Sequence, residues 1–215
     1  MLSLKEAKEI TGHKSGLGKP SKMPGFSTSI PARHCKVGQK LAMIKGSVCE
    51  VCYADERGNY TFPSVKKGLQ ARFDALQAPR WNEAMARLIS HYVDEADPVF
   101  RIHDSGDLQS TRHLMAWVAV ARMVPWVRFW LPTKETRILK SARALLGASW
   151  PANLVVRMSA PMIGQSPPRS MAGYLTSTVA AGHGFECEAY KRSNKCGPCR
   201  ACWNPAVENI DYHKQ

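Results

Sequence analysis

Nothing in these 215 residues runs apolar for the roughly 18 positions that a membrane-spanning helix needs. No helical span, and no membrane partner, is therefore expected. The opening stretch, Met1 to Ile10, alternates charged with apolar residues and lacks the continuous apolar centre of a secretory signal. The chain is expected to remain in the cytoplasm. No internal repeat is visible, which sets repeat architectures aside. Acidic residues are scarce: 17 Asp and Glu face 30 Lys and Arg, leaving a net charge of +13. Such a surplus concentrates polyanions, so nucleic acid or a nucleotide is the expected partner. A basic surface that merely aids solubility is the plainer reading, because the cations are spread along the chain and form no stripe.

What is present is an ordinary globular composition, 44% apolar and 22% charged, which excludes a disordered chain. The length allows one substantial core, or one core with a metal-stapled appendage. Seven cysteines in a chain without a secretory signal point to metal ligands or redox groups in preference to disulfides.

Residues 1–34 read as an irregular arm punctuated by glycine and proline, with a short strand over Phe26–Ile30. Cys35 to Tyr60 reads as a loop with a short apolar helix near Leu41–Ile44. Val65, Leu69, Phe73 and Leu76 then recur at helical spacing, Pro79 interrupts, and Trp81 to Tyr92 continues as a second helix. Beyond that point strands and helices alternate. Val99–Ile102, Val127–Leu131 and Leu154–Met158 are strands; Leu114, Trp117, Val118 and Ala121 mark one intervening helix, and Thr136–Leu146 is another. This alternation implies right-handed βαβ units and an α/β fold, either a partial (β/α) barrel or an open parallel sheet. After Pro161 the periodicity dissolves. Residues 1–160 are expected to form the core, and 161–215 a Gly/Pro-rich segment ending in a cysteine-rich, metal-stapled tail.

Cys196, Cys199 and Cys202 are spaced two residues apart, twice, so a tight loop can wrap one compact inorganic core; Cys187 supplies a fourth thiolate. An iron–sulfur cluster, 4Fe-4S in type, is the expected cofactor, with tetrahedral zinc the alternative. Cys35, Cys49 and Cys52 form a second group. Three thiolates with one open iron could bind a substrate or cofactor; equally, these thiols could complete a single site with the tail. His103-Asp104-Ser105-Gly106-Asp107 follows the strand at 99–102, where parallel α/β folds place ligand sites. His103, Asp104 and Asp107 are the catalytic candidates, and Ser105 and Gly106 the cofactor contacts. The duller reading is a turn in which Asp107 or Ser110 caps the next helix. Lys134 and Arg157, at the ends of the next two strands, would face the same mouth and suit a phosphate or carboxylate.

Cys49-x-x-Cys52-Tyr53-Ala54, Arg101-Ile102-His103-Asp104-Ser105-Gly106-Asp107 and the terminal Cys-x-x-Cys-x-x-Cys202-Trp203 resemble the phage and plasmid "gene product 88" family over most of residues 26–203. That resemblance implies fold and metal sites without implying an activity. A more distant likeness is to radical S-adenosylmethionine enzymes. It implies that Cys35, Cys49 and Cys52 hold a cluster that binds S-adenosylmethionine, and that Asp107 stands where a strand end meets the methionine amine. Two functions fit: an enzyme of this kind acting on a nucleotide or nucleic acid, or a non-catalytic, metal-stapled module that grips nucleic acid through its basic surface.

Overall fold

The computed structural model describes residues 2–54 and 58–214. Seven strands form one sheet: β1 (Phe26–Thr28), β2 (Val99–Ile102), β3 (Arg128–Thr133), β4 (Leu154–Ser159), β5 (Thr176–Val179), β6 (Phe185–Cys187) and β7 (Asn209–Tyr212). Their order is β1-β2-β3-β4-β5-β7-β6, and every pairing is parallel. Of the two expected architectures the sheet takes the open one, with β1 and β6 at its edges. Among the described residues, no helix is long and apolar enough to cross a membrane.

Alternation along the strands decides what each face meets. Phe100 and Ile102 of β2, Phe129 and Leu131 of β3, and Leu154, Val156 and Met158 of β4 enter one core. They pack there against Leu88 and Ile89 of α4 (Trp81–Tyr92), Leu114 and Trp117 of α5 (Thr111–Met123) and Leu139 of α6 (Thr136–Leu146). Sequential parallel strands joined by right-handed crossovers put those helices on a single face. The opposite face carries Val99 and Trp130, covered by Trp203 from the tail. The two indoles meet edge to face at 5.2 Å, and Trp203 Nε1 donates to the Phe100 carbonyl at 3.0 Å.

Three further expectations need correction. The first arm is not irregular throughout: α1 (Leu4–Thr11) forms behind a Ser3–Glu6 capping box and packs on α4. The short helix of the cysteine loop, α2, covers Lys36–Ala42, with Cys35 as its N-cap residue. Residues 55–57 of that segment lie outside the described residues. Finally, the sheet runs on past residue 160: β5 pairs with β4, and β7 with β5. Those later strands are held by buried polar pairs. Thr176 Oγ1 donates to Asn209 Oδ1, and Thr178 Oγ1 to Asp211 Oδ1, each at 2.8 Å.

Arg157, expected at the mouth, is instead fully enclosed within β4 and faces the tail side. Its position alternates with Leu154, Val156 and Met158, so it turns away from the helices. Nε donates to the Cys202 carbonyl at 3.1 Å, one terminal nitrogen to Val207 at 2.7 Å, and the other to Ala201 at 3.2 Å and Asn204 at 2.8 Å. A buried guanidinium needs such partners, and the returning tail wraps around it to supply them. Arg157→Leu would leave these carbonyls unsatisfied at about 1–3 kcal/mol each. The expected outcome is a fall in unfolding free energy of about 3 kcal/mol or more, read as a lower urea midpoint. Limited proteolysis should then cut beyond β6 first; cleavage unchanged from the parent would show that the tail holds itself on the sheet.

Candidate metal centre

The loop after β1 brings three thiols to the carboxyl ends of the strands. A 3₁₀ turn over Ala32–His34 delivers Cys35 to the start of α2. Cys52 N donates to the Cys49 carbonyl at 3.3 Å, a turn that carries both sulfurs of the Cys-x-x-Cys on one bend. The loop is then fastened across the mouth to the segment following β4: Val48 N donates to the Pro161 carbonyl at 2.9 Å, and Ile163 N to that of Gly46 at 3.0 Å. Gly38 gives the sulfurs room. A Cβ there would stand 2.8 Å from Cys35 Cβ and within 3.8 Å of both the Cys35 and Cys49 sulfurs. All three cysteines are half-buried and unpaired.

The second loop of the mouth follows β2 and sorts the expected residues into different roles. Asp107 is buried and takes three donors: Leu108 N at 2.7 Å, Thr133 Oγ1 at 2.6 Å and Lys134 N at 2.8 Å. It thereby ties the β2 loop to the end of β3, while Ser110 caps α5 by accepting from His113 N at 3.1 Å. Burial pushes the Asp107 carboxyl up to about 6 against the pull of those hydrogen bonds. Its charge lies beside the thiols. Cys35 is pushed up by burial first, then by Asp107, Cys52 and Cys49, with Lys134 pulling the other way; Cys49 is raised by burial, Cys52 and Asp107.

Asp104 instead gathers hydroxyls. Its carboxylate accepts from Ser29 and from Tyr60 (3.3 Å), and its carbonyl accepts from Tyr53. Ser105 and Gly106 lock onto β1's continuation: Ser105 Oγ donates to the Ile30 carbonyl at 3.1 Å, and a Cβ at Gly106 would collide with Ile30. His103 lies in the helical layer with its ring 5.3 Å from His113 and 6.2 Å from Trp117. Its Nδ1 has no partner among the described residues, and burial lowers its pKa well below the usual range.

The tail thiols form a second group on the sheet face opposite the helices. Cys187 ends β6 beside Tyr212, whose hydroxyl lies 3.3 Å from the Cys202 sulfur. Cys199 N donates to the Cys196 carbonyl at 3.3 Å, repeating the turn seen at Cys49–Cys52. Burial raises Cys196, and Cys187 and Cys199 add to that rise; burial also pushes Cys202 up to about 11. Arg101 stands between the two groups. Its guanidinium covers the Trp130 ring at 4.7 Å, lies 3.5 Å from the Tyr53 hydroxyl, and pulls the Cys196 pKa down.

The family model described as "Gene product 88" matches residues 1–205. The chain belongs to the Gene product 88 family. No curated protein and no solved structure matches it, so the likeness to radical S-adenosylmethionine enzymes gains no support. Among the described residues, no three His, Cys, Asp or Glu side chains are already closed tightly enough to hold a metal ion. The donor chemistry of both groups nevertheless fits a thiolate-ligated centre: burial and neighbouring thiols raise Cys35, Cys49, Cys196 and Cys202, and a bound cation stabilises such sulfurs as thiolates. Cysteine spacing and charge pattern do not reveal the parts that Gly38, Tyr53, Tyr60, Arg101 and Tyr212 play in this family member. Gly38 carries no signal in sequence either, because the expected helix begins only near Leu41. In α2 a mid-helix glycine costs about 0.5–1 kcal/mol, and the room it leaves for the sulfurs is the reason for it.

At a neutral site Gly38→Ala would stabilise α2. Here it should displace Cys35 and strip metal from the first group while the tail keeps its own, measured as metal bound per chain. Full metal content in that variant would show that the thiols are not packed as described. A second expectation concerns acid. Burial holds His13 at about 3 and His113 at about 4, and lowers His103 well below the usual imidazole range. Unfolded histidines titrate near 6.5, so the unfolded chain takes up protons that the fold refuses, and stability falls as pH drops from about 6.5 towards 4. Asp107 opposes this between about 4 and 6, because it stays protonated in the fold where the unfolded carboxyl ionises. Three histidines against one carboxyl set the sign. The urea midpoint should decline over that window, and His113→Gln should flatten the decline.

Proposed function

We propose that the chain is an iron–sulfur protein with two centres of different kind. Cys35, Cys49 and Cys52 would hold a four-iron cluster through three irons, leaving the fourth open to a ligand. Cys187, Cys196, Cys199 and Cys202 would close a second centre that staples the tail to the sheet. The observation that carries this reading is the meeting of the three thiols with Asp107 and Lys134 on the carboxyl side of the strands, while the tail thiols act on one another. A cluster with an open iron supplies one-electron chemistry and a coordination position to whatever binds beside it.

The protein's own groups define that neighbourhood. Asp107 keeps a negative charge at the floor of the mouth above about pH 6. Lys134, half-buried, supplies a cation at the same rim. Together they suit a ligand bearing both an ammonium and a carboxylate, and S-adenosylmethionine is the probe of that kind. The tail quartet has the donors for tetrahedral zinc as well as for iron.

Protein purified without oxygen should be brown and contain iron with acid-labile sulfide. Cys49→Ser and Cys199→Ser should each remove part of the iron, and Cys199→Ser alone should expose the tail to protease. S-adenosylmethionine should change the electron paramagnetic resonance of the reduced protein, and should not do so in Cys49→Ser. A colourless product carrying only zinc would end the iron reading, and an unchanged resonance would end the open-iron part of it.

A further inference from the structure

Apolar side chains left in the open gather beside the first thiol group. Met43 (87% exposed), Ile44, Val51, Tyr53 and Phe62 all belong to the stretch between α2 and α3 (Pro63–Asp74). Cations flank them: Arg33, Lys36, Lys40, Lys45, Lys66 and Lys67 are exposed, and residues 33–67 carry seven Lys and Arg against the three acids Glu50, Asp55 and Glu56. A cavity of about 140 Å³ opens among them, with Arg33, Tyr60 and Lys66 on its wall and Ala54 and Leu69 beneath. The two tyrosines are held stiffly. Both hydroxyls donate to Asp104, the Tyr60 bond being 3.3 Å, and the rings meet edge to face at 6.1 Å.

Apolar exposure alone would fit a protein partner or a lipid surface, and lysines alone a solvated face. Fixed aromatic rings set among cations, beside a cavity large enough for about one base, fit a strand whose bases are splayed out while its phosphates are neutralised. A duplex hides those π-faces in its stack. We propose that this face binds single-stranded nucleic acid. Bases stack on Tyr53 and Phe62, one nucleotide enters the cavity at Tyr60, and phosphates meet Arg33, Lys40, Lys45, Lys66 and Lys67. The strand then lies across the mouth of the first thiol group. The inference thus deepens the proposed function by naming its substrate class, and depends on that reading only for the chemistry after the strand is bound.

The test is fluorescence anisotropy of a labelled mixed-sequence 15-nucleotide DNA strand, and of its duplex, titrated with the intact protein over a salt series. The single strand should bind more tightly than the duplex and weaken as salt rises. Replacing Arg33 and Lys66 together by Glu should weaken binding at least tenfold and reduce the salt slope by about 1.4, since each of the two lost single-strand phosphate contacts contributes about 0.7. Phe62→Ala should weaken binding about fivefold or more with the slope unchanged. A double variant in the tail, Lys191→Glu with Arg192→Glu, should bind like the parent, and circular dichroism should show every variant folded. Four results would overturn the proposal: no salt-dependent binding, equal affinity for the duplex with Phe62→Ala neutral, a loss that tracks the tail variant, or capture by anionic vesicles with no strand bound. Iron and sulfide are measured on the same samples. Strand binding by an iron-free protein sinks the cluster reading and leaves this one standing; an iron-loaded protein that ignores the strand does the reverse.

Discussion

A guanidinium with no exposed surface cannot be left to itself, and Arg157 is the residue around which the second half of the chain is arranged. Its donors reach the carbonyls of Ala201, Cys202, Asn204 and Val207. Carbonyls spread over so few residues can converge on one side chain only if the tail bends over the sheet in one way. That bend sets Trp203 against Trp130 and brings Cys202 beside Tyr212. The geometry of the tail thiols is thus set in part by a strand residue that is no ligand. A metal on the proposed tail quartet would constrain the same short segment that the arginine already holds.

Strands β2 to β4 and the helices between them can be read from the chain because each carries apolar residues at the period of its own structure. Phe100 and Ile102, or Leu114 and Trp117, are in the core for the same reason that they stand out in the sequence. The later strands are not readable in that way. Thr176, Thr178, Asn209 and Asp211 are buried in β5 and β7 as mutually satisfied polar groups, so the apolar pattern that marks a half-buried strand is missing. The capping box at Ser3 and Glu6 is visible in the chain, and the charges around it conceal the helix.

The candidate site divides along a similar line. Cysteine spacing announces both thiol groups, since a Cys-x-x-Cys needs only one local turn to present its sulfurs together. Roles that depend on which loops become neighbours are not legible. Asp107 reads in sequence as a catalytic candidate or, more plainly, a cap, yet it crosses to Thr133 and Lys134 at the end of the next strand. Arg157 looks like a mouth residue because it stands near a strand's end. Counting the alternation from Leu154 places it on the other face, and its tail partners lie some 45 residues onward. His103 escapes the same simple reading: a strand-end histidine can turn into the helical layer as readily as into the mouth.

The two edges of the sheet have a bearing on solubility. An open parallel sheet exposes unpaired backbone groups at its borders, which is an invitation to another chain. Both borders here are only three residues long. At β1 the invitation is already answered: Ser27 exchanges both its backbone hydrogen bonds with Gly18, whose missing side chain allows the close approach. At β6 the strand ends on Cys187, and the chain leaves through the charged turn from Glu188 to Arg192. A chain with so many polar strands thereby offers no long template along which copies of itself could stack.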